Sequence, residues 1–480
     1  MVRRLLTTLA CAAFALGTTM ASPASRSSSD LKHVLLRESE GYHDEVYAAF
    51  LSDLGASPYI KTTFSQHYSR WGMPEITSSF PFINPLTTQG FNHTNSREFE
   101  ITPQAIIENK VDAILSVSCD YDVDKRTAEW QRLFHETDVQ LLCVYHDPGG
   151  HSGPGKYYDS LTKLWIDADR ITFLVLSEHV GKWLQDDMTK RGSKPIHWEV
   201  YIPVFELPQG IRTERAEDKH KSFVIQGNFE SGRRDYNAVF QRFGEGLASL
   251  PAGTSKAEKP GLVLIGSGKP LKIPANLADN VDMHMNLEYP AFYKTLGQSS
   301  VLLPAFASPL YFIKKASSTI NAAIIGGTII IGDQKMLDAY TFLDEEIVFK
   351  TLPGESDVQA AMRYLALDKA TRNRKLTYIR GYRARIIQQN RALLNELVNP
   401  AAVAADHHGV LGDYLHAAKS VPAEHPSSTA SAFVFLIGIA LAFIFRRTLV
   451  TQVRQLMDRL STNKRDYLPV GSHSTDMRSK

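Results

Sequence analysis

Two consecutive arginines, Arg233 and Arg234, close the segment Val224-Ile225-Gln226-Gly227-Asn228-Phe229-Glu230-Ser231-Gly232-Arg233-Arg234-Asp235-Tyr236. A strand-like run ends at Gln226, Gly227 allows close backbone approach, and the arginines open the next helical pattern. Cations at a helix start oppose the helix dipole unless an anion is present. An arginine fork there suits a diphosphate, held bidentately. The other reading is that both arginines cover the helix start and pair with Asp235 or Glu230. A second anion-suited place is Lys315-Ala316-Ser317-Ser318-Thr319, where a loop feeds a helix behind the apolar run Ser300–Leu303. Free backbone N–H groups and the hydroxyls of Ser317, Ser318 and Thr319 suit phosphate or ribose. Ser317 or Ser318 also serves as an ordinary N-cap. Ile265-Gly266-Ser267-Gly268-Lys269 is too short for a Walker loop. It is a Gly-rich turn that brings Lys269 near a nucleotide, or a plain strand-to-loop turn.

Proton chemistry has fewer candidates. His146 and Asp147 stand just past the buried run Leu141–Tyr145, where an imidazole can hydrogen-bond a ligand or take a proton. Asp147-Pro148-Gly149 is equally a turn signal. The loop Arg37–Glu45 is polar, and in it Gly41, Tyr42 and His43 can line a ligand. A solvated loop capped by Asp44 accounts for the same residues.

The elements that must position these groups follow from periodicity. Apolar runs at His33–Leu36, Ala113–Val117, Gln140–Tyr145 and Ile171–Leu176 predict strands. Amphipathic stretches Glu45–Leu54, Gln104–Asn109 and Lys125–His135 predict helices between them. After a polar hinge at Leu207–Lys221 the order repeats. Strands are predicted at Phe223–Gln226, Leu262–Ile265, Asp282–Met285, Val301–Leu303 and Thr328–Ile331. Helices are predicted at Asp235–Phe243, Pro290–Leu296 and Ser318–Ile325. Continuous apolar strands separated by helices signal parallel sheets covered on both faces, with ligands beyond the C-terminal strand ends. Helices Asp357–Leu367 and Thr371–Leu397 close this part. The class is α/β, with one lobe over 31–206 and a second over 220–398.

With 53 Lys and Arg against 51 Asp and Glu, the net charge is +2 in 480 residues. That balance argues against a nucleic-acid partner, which a basic stripe would reveal. Arg3 and Arg4 before Leu5–Leu16 read as a signal peptide over 1–21. Residues 399–426 read as a stalk. The uncharged run Ser427–Phe445 spans roughly 28 Å as a helix, about one hydrocarbon core. Arg446-Arg447 and the basic tail 446–480 then lie on the cytosolic side. The expectation is a single-pass type I membrane protein of the endoplasmic reticulum or Golgi, facing the lumen. Cys119 and Cys143 form one disulfide or remain two buried thiols on neighbouring strands. No metal-ligand spacing is present. Asn92-His93-Thr94 is a glycosylation acceptor.

The second lobe, from Val224–Tyr236 through Tyr289–Asp333, resembles the donor-binding half of a GT-B glycosyltransferase, most like glycosyltransferase family 4 and its "family 1 domain" relatives. The resemblance implies two Rossmann-like domains facing a cleft, with final helices crossing back to the first. It implies a metal-independent, cofactor-free hexosyltransferase that moves a sugar from a nucleotide-sugar donor to a glycan, protein or lipid acceptor. Gly227, Arg233, Arg234, Lys269, Ser317, Ser318 and Thr319 would bind the donor. His146 and Asp147 would be catalytic, Gly41, Tyr42 and His43 would line the acceptor side, and Tyr289 would pack near the donor base. The family's two glutamates eight positions apart are missing here; Asn321 or Ala322 stands where the second would be. The alternative is therefore a catalytically silent GT-B-like module that binds glycans or proteins.

Overall fold

A computed structural model describes residues 31–41, 43–66, 71–80, 101–146, 161–211 and 221–404. The first lobe is a six-stranded parallel sheet of β1 (Lys32–Glu38), β2 (Ile60–Gln66), β3 (Ala113–Ser116), β4 (Gln140–Tyr145), β5 (Ile171–Val175) and β6 (Trp198–Val200), in the order β2-β1-β3-β4-β5-β6. Its helices are α1 (Asp44–Gly55), α2 (Met73–Thr77), α3 (Pro103–Glu108), α4 (Cys119–Lys125), α5 (Thr127–Glu136), α6 (Lys163–Asp167) and α7 (Glu178–Lys190). Six of the seven residues of β1 are buried, because helices cover both faces of the sheet.

The second lobe is a parallel sheet of β7 (Ser222–Gln226), β8 (Gly261–Gly266), β9 (Val281–Met285), β10 (Val301–Leu302), β11 (Ile329–Gly332) and β12 (Val348–Lys350). Its order is β12-β11-β10-β7-β8-β9, the Rossmann order. Its helices are α8 (Tyr236–Ala248), α9 (Tyr289–Gln298), α10 (Ser318–Gly326), α11 (Gln334–Ala339), α12 (Asp357–Leu365) and α13 (Lys369–Val398).

Helix α13 belongs to both lobes. Asn390 donates to the Ile202 carbonyl at 2.7 Å, Arg391 pairs with Asp53 at 3.1 Å, and Ser57 donates to Asn395 at 2.5 Å. A final helix crossing back to the first lobe is what the resemblance implied. Asp53 is fully buried, and burial raises its carboxyl to about 7 although Arg391 and the Tyr201 hydroxyl hold it back.

Two sequence expectations need correction. The helix expected over Lys125–His135 is broken at Arg126, whose φ of −122° and ψ of 40° separate α4 from α5. The hinge is not polar throughout: Leu207 and Ile211 are buried, and nearby Phe205 meets Tyr293 of the other lobe edge to face at 5.8 Å. Residues 212–220 lie outside the described residues. So do the signal segment, the stalk, the 427–445 run, the tail and Asn92. Among the described residues no helix is long and apolar enough to cross a membrane. The question of Cys119 and Cys143 is answered: they form a disulfide.

Candidate functional site

Strand order reverses between β7 and β10, and there the loops after the two strands part. The β7 loop is held by a close approach. Gly227 has φ +130°, and a Cβ on Gly266 would lie 1.8 Å from the Gly227 carbonyl oxygen. The Gly266-Ser267-Gly268 turn is used structurally: the Ser267 carbonyl accepts from Phe229 N–H at 2.7 Å, and its hydroxyl donates to Asn228 at 2.7 Å. Lys269 is exposed beyond it.

The two adjacent arginines part company. Arg233 is half exposed and pairs with Glu230 at 2.8 Å. Arg234 turns inward and is only 4% exposed. Its Nε donates to the Gln226 carbonyl at 3.3 Å, Nη1 to the Arg233 carbonyl at 3.0 Å and Nη2 to Thr319 Oγ1 at 2.6 Å. Thr319 donates in turn to Gln226 Oε1 at 2.5 Å. The guanidinium lies over the rings of Phe306 and Tyr311, 5.1 and 5.6 Å from their centroids. Among the described residues each hydrogen-bond partner of this guanidinium is a neutral oxygen.

That pairing is exceptional here. Among the described residues the other buried Arg and Lys side chains each have a carboxylate: Arg37 has Asp122 and Glu129, Arg383 has Glu206, and Lys375 has Glu346. Among the described residues Arg234 has none, and it sits at the positive end of α10. A desolvated cation beside a helix N-terminus is costly in the absence of an anion. Three of its five N–H groups are used in these bonds, leaving two. Ser317 caps α10 by accepting from Thr319 N–H at 3.4 Å, and Ser318 is exposed at the same helix start. Burial raises the Tyr340 phenol, which lies beside Ser317 and Arg234.

The first lobe gathers a second constellation at its own switch point, between β1 and β3. Glu38 is buried and accepts from Gly41 N–H at 2.6 Å, Glu40 N–H at 3.2 Å and the Ser118 hydroxyl at 3.1 Å. His43 Nδ1 meets Ser118 Oγ at 2.9 Å. The His43 ring lies flat on His146, with centroids 3.5 Å apart and planes 4° apart. His146 Nε2 donates to the Val117 carbonyl at 2.6 Å. The structure thus brings Gly41, His43 and His146 together; Tyr42 and Asp147 lie outside the described residues. Gly41 has φ +68°, the left-handed conformation that turns its N–H onto Glu38.

The lobes face each other by their C-terminal strand ends. Behind β5, His179 Nδ1 is 2.8 Å from the Ala339 carbonyl and Nε2 is 3.1 Å from the Lys315 carbonyl. Behind β9, Tyr289 N–H donates to the Trp71 carbonyl at 2.6 Å. The Tyr289 phenol is raised by burial and by Glu45 and Asp44 of α1. Tyr289 is therefore a lobe-to-lobe contact. Sequence reasoning missed Gln226, Phe306, Tyr311, Glu38, Ser118 and His179. The position of Gln226 and Glu38 at strand ends was the one signal available.

Two parallel-sheet Rossmann-like lobes, facing by their C-terminal strand ends and tied by a returning helix, define a GT-B fold. The chain is similar to a glycosyltransferase from Rickettsia africae, with 11% identity, TM-score 0.48, and 76% of this chain and 98% of that one covered. It is similar to HepE of Anabaena in complex with UDP-glucose, with 9% identity, TM-score 0.46, and 78% and 99% covered. It is also similar to the pneumococcal O-GlcNAc transferase GtfA in complex with UDP and GlcNAc, with 15% identity, TM-score 0.40 and 61% of this chain covered; there it spans 59% of that protein's length. No protein-family model and no curated protein matches the chain.

Proposed function

We propose that the chain transfers a hexose from a nucleotide-diphosphate sugar to a glycan, protein or lipid acceptor. The observation that carries this reading is Arg234, the buried cation without a carboxylate at the start of α10. In sugar transfer the leaving diphosphate gains charge, and a fixed guanidinium beside free helix N–H groups stabilises it. Arg234, Thr319 and the Ser317–Ser318 turn hold the diphosphate, and Gly227 lets it approach the β7 loop. His146 faces the donor sugar, and Gly41 and His43 border the acceptor side. Arg233, bound to Glu230, and exposed Lys269 are peripheral to the anion.

Isothermal titration with UDP-glucose, UDP-N-acetylglucosamine and GDP-mannose tests the site. One of these donors binds the wild-type chain and Arg233→Ala alike, and Arg234→Met loses it. Equal binding by Arg234→Met overturns the reading. Asn321 favours a second reading, a silent glycan- or protein-binding module, because a buried neutral amide stands near the place of the family's second glutamate. Turnover of a bound donor excludes silence.

The lumen of the endoplasmic reticulum or Golgi is the proposed compartment, with the chain anchored by 427–445. The buried disulfide between Cys119 and Cys143 supports an oxidising location. Protease protection of sealed microsomes tests it: digestion of the globular part without detergent would place that part in the cytosol.

A further inference from the structure

Tyr340 is a second group that the fold leaves short of a partner at the start of α10. Its side chain is 1% exposed, and its hydroxyl makes no hydrogen bond with any described residue. A buried hydroxyl without a bond destabilises the fold that holds it. Tyr47 and Tyr293 are also buried with unbonded hydroxyls, but they lie near the carboxylates of Glu38 and Glu45. Tyr340 lies beside the Arg234 guanidinium and the backbone of Ser317. A guanidinium offers donors only. A backbone group that favours the phenolate, as Ser317 does, is a donor too. What gathers here is a set of donors that lacks one acceptor.

The phenol is held from both lobes. Tyr340 N–H donates to the Met336 carbonyl at 2.8 Å, and its ring meets Phe342 edge to face at 6.0 Å. From the first lobe, the His179 ring lies edge to face on it at 5.0 Å. His179 also meets the carbonyls of Ala339, the residue before Tyr340, and of Lys315, two residues before Ser317. One contact between the lobes thus fixes the phenol and the start of α10 relative to each other. We propose that Tyr340 donates its hydroxyl hydrogen bond to the diphosphate that Arg234 binds. The proposal rests on the glycosyltransferase reading above and adds to it a neutral ligand of the anion. A phosphate oxygen has lone pairs enough for the guanidinium, the phenol and the first N–H groups of α10 together. The hydroxyl that burdens the empty fold is thereby satisfied in the complex.

The test titrates the full chain calorimetrically with inorganic pyrophosphate, UDP and GDP, which carry the anion without the sugar. Y340F removes the hydroxyl and keeps the ring. It should unfold in urea at the wild-type midpoint or above, because the group removed has no partner in the empty fold. It should bind whichever of the three the wild type takes at least about tenfold more weakly, the loss expected of a hydrogen bond to a charged group. Y293F, which removes a buried phenol near Glu45, is the control and should bind as wild type does. A smaller loss in Y340F overturns the inference, as does an equal loss in Y293F. A Y340F chain that is strongly destabilised or does not fold also overturns it, because the hydroxyl would then have a partner within the fold. A wild-type chain that binds none of the three overturns the Arg234 reading and this inference together. Binding that R234M loses and Y340F keeps overturns this inference alone.

Discussion

Replacing Arg234 with methionine separates its role in the fold from its role in binding. Methionine keeps the length of the side chain and its packing on Phe306 and Tyr311 but removes the charge. In the ligand-free chain two effects oppose each other. The Gln226 and Arg233 carbonyls lose a donor, about 1 kcal/mol each. Against that, a desolvated cation with no carboxylate disappears, a relief of up to several kcal/mol. The Thr319 hydroxyl keeps Gln226 as its acceptor. Stability should therefore stay within about 2 kcal/mol of wild type or rise. Donor binding should respond differently. Two N–H groups beyond those used inside the fold are left for the diphosphate, and charge-assisted bonds contribute about 1.5 to 3 kcal/mol each. Their loss amounts to roughly 4 kcal/mol, or about three orders of magnitude in Kd. Urea melts give the first quantity and calorimetry the second, with Arg233→Ala as the control that changes neither. A variant that is strongly destabilised yet binds donor normally would show that Arg234 is a structural clamp between β7 and α10 and that the anion argument is wrong.

Other consequences are simpler. Gly266→Ala drives a methyl into the Gly227 carbonyl and should cost about 3 kcal/mol in a urea melt, with donor affinity falling as the β7 loop shifts; a neutral result would mean the loops separate freely. Cys119→Ser/Cys143→Ser opens a cross-link between positions 24 residues apart, for which loop entropy gives a loss of about 3.5 kcal/mol. Because both sulfurs are buried, reductant should act on the folded protein slowly, and rapid reduction in an alkylation time course would contradict the burial. Asp53 gives a pH signature. Its carboxyl is raised from 3.8 to about 7, so the native state holds a proton that the unfolded chain releases. Its contribution to stability is complete below about pH 4 and is lost as pH rises to 7, with a slope of at most about 1.4 kcal/mol per pH unit. Urea midpoints of wild type and Asp53→Asn between pH 4 and 8 should differ in slope, and parallel profiles would refute the assignment.

Most strands were legible because both faces of each sheet are covered, which leaves continuous apolar runs such as those of β4 and β10. Three strands escaped, β2, β6 and the three-residue β12, the first two for opposite reasons. In β2, Lys61-Thr62-Thr63 looks like a polar turn, yet Thr62 and Thr63 are buried and Thr63 is satisfied by His33 at 2.7 Å. In β6, three half-buried residues of an edge strand are too few to make a pattern. The site was legible as a region but not as a set of partners. An Arg-Arg pair does not say which side chain turns inward. Here that depends on Thr319, 85 residues further on, and on an isolated antiparallel bridge between Arg234 and Phe306. The same holds in the first lobe. His43 and His146 were each visible as polar residues past a strand, but Ser118 and Glu38, which hydrogen-bond in series with His43, become its partners only when β1 and β3 lie side by side. Residue type announces the chemistry available at a strand end. The register of neighbouring strands decides which groups share it, and that decision is made by the apolar runs, which themselves carry no chemistry.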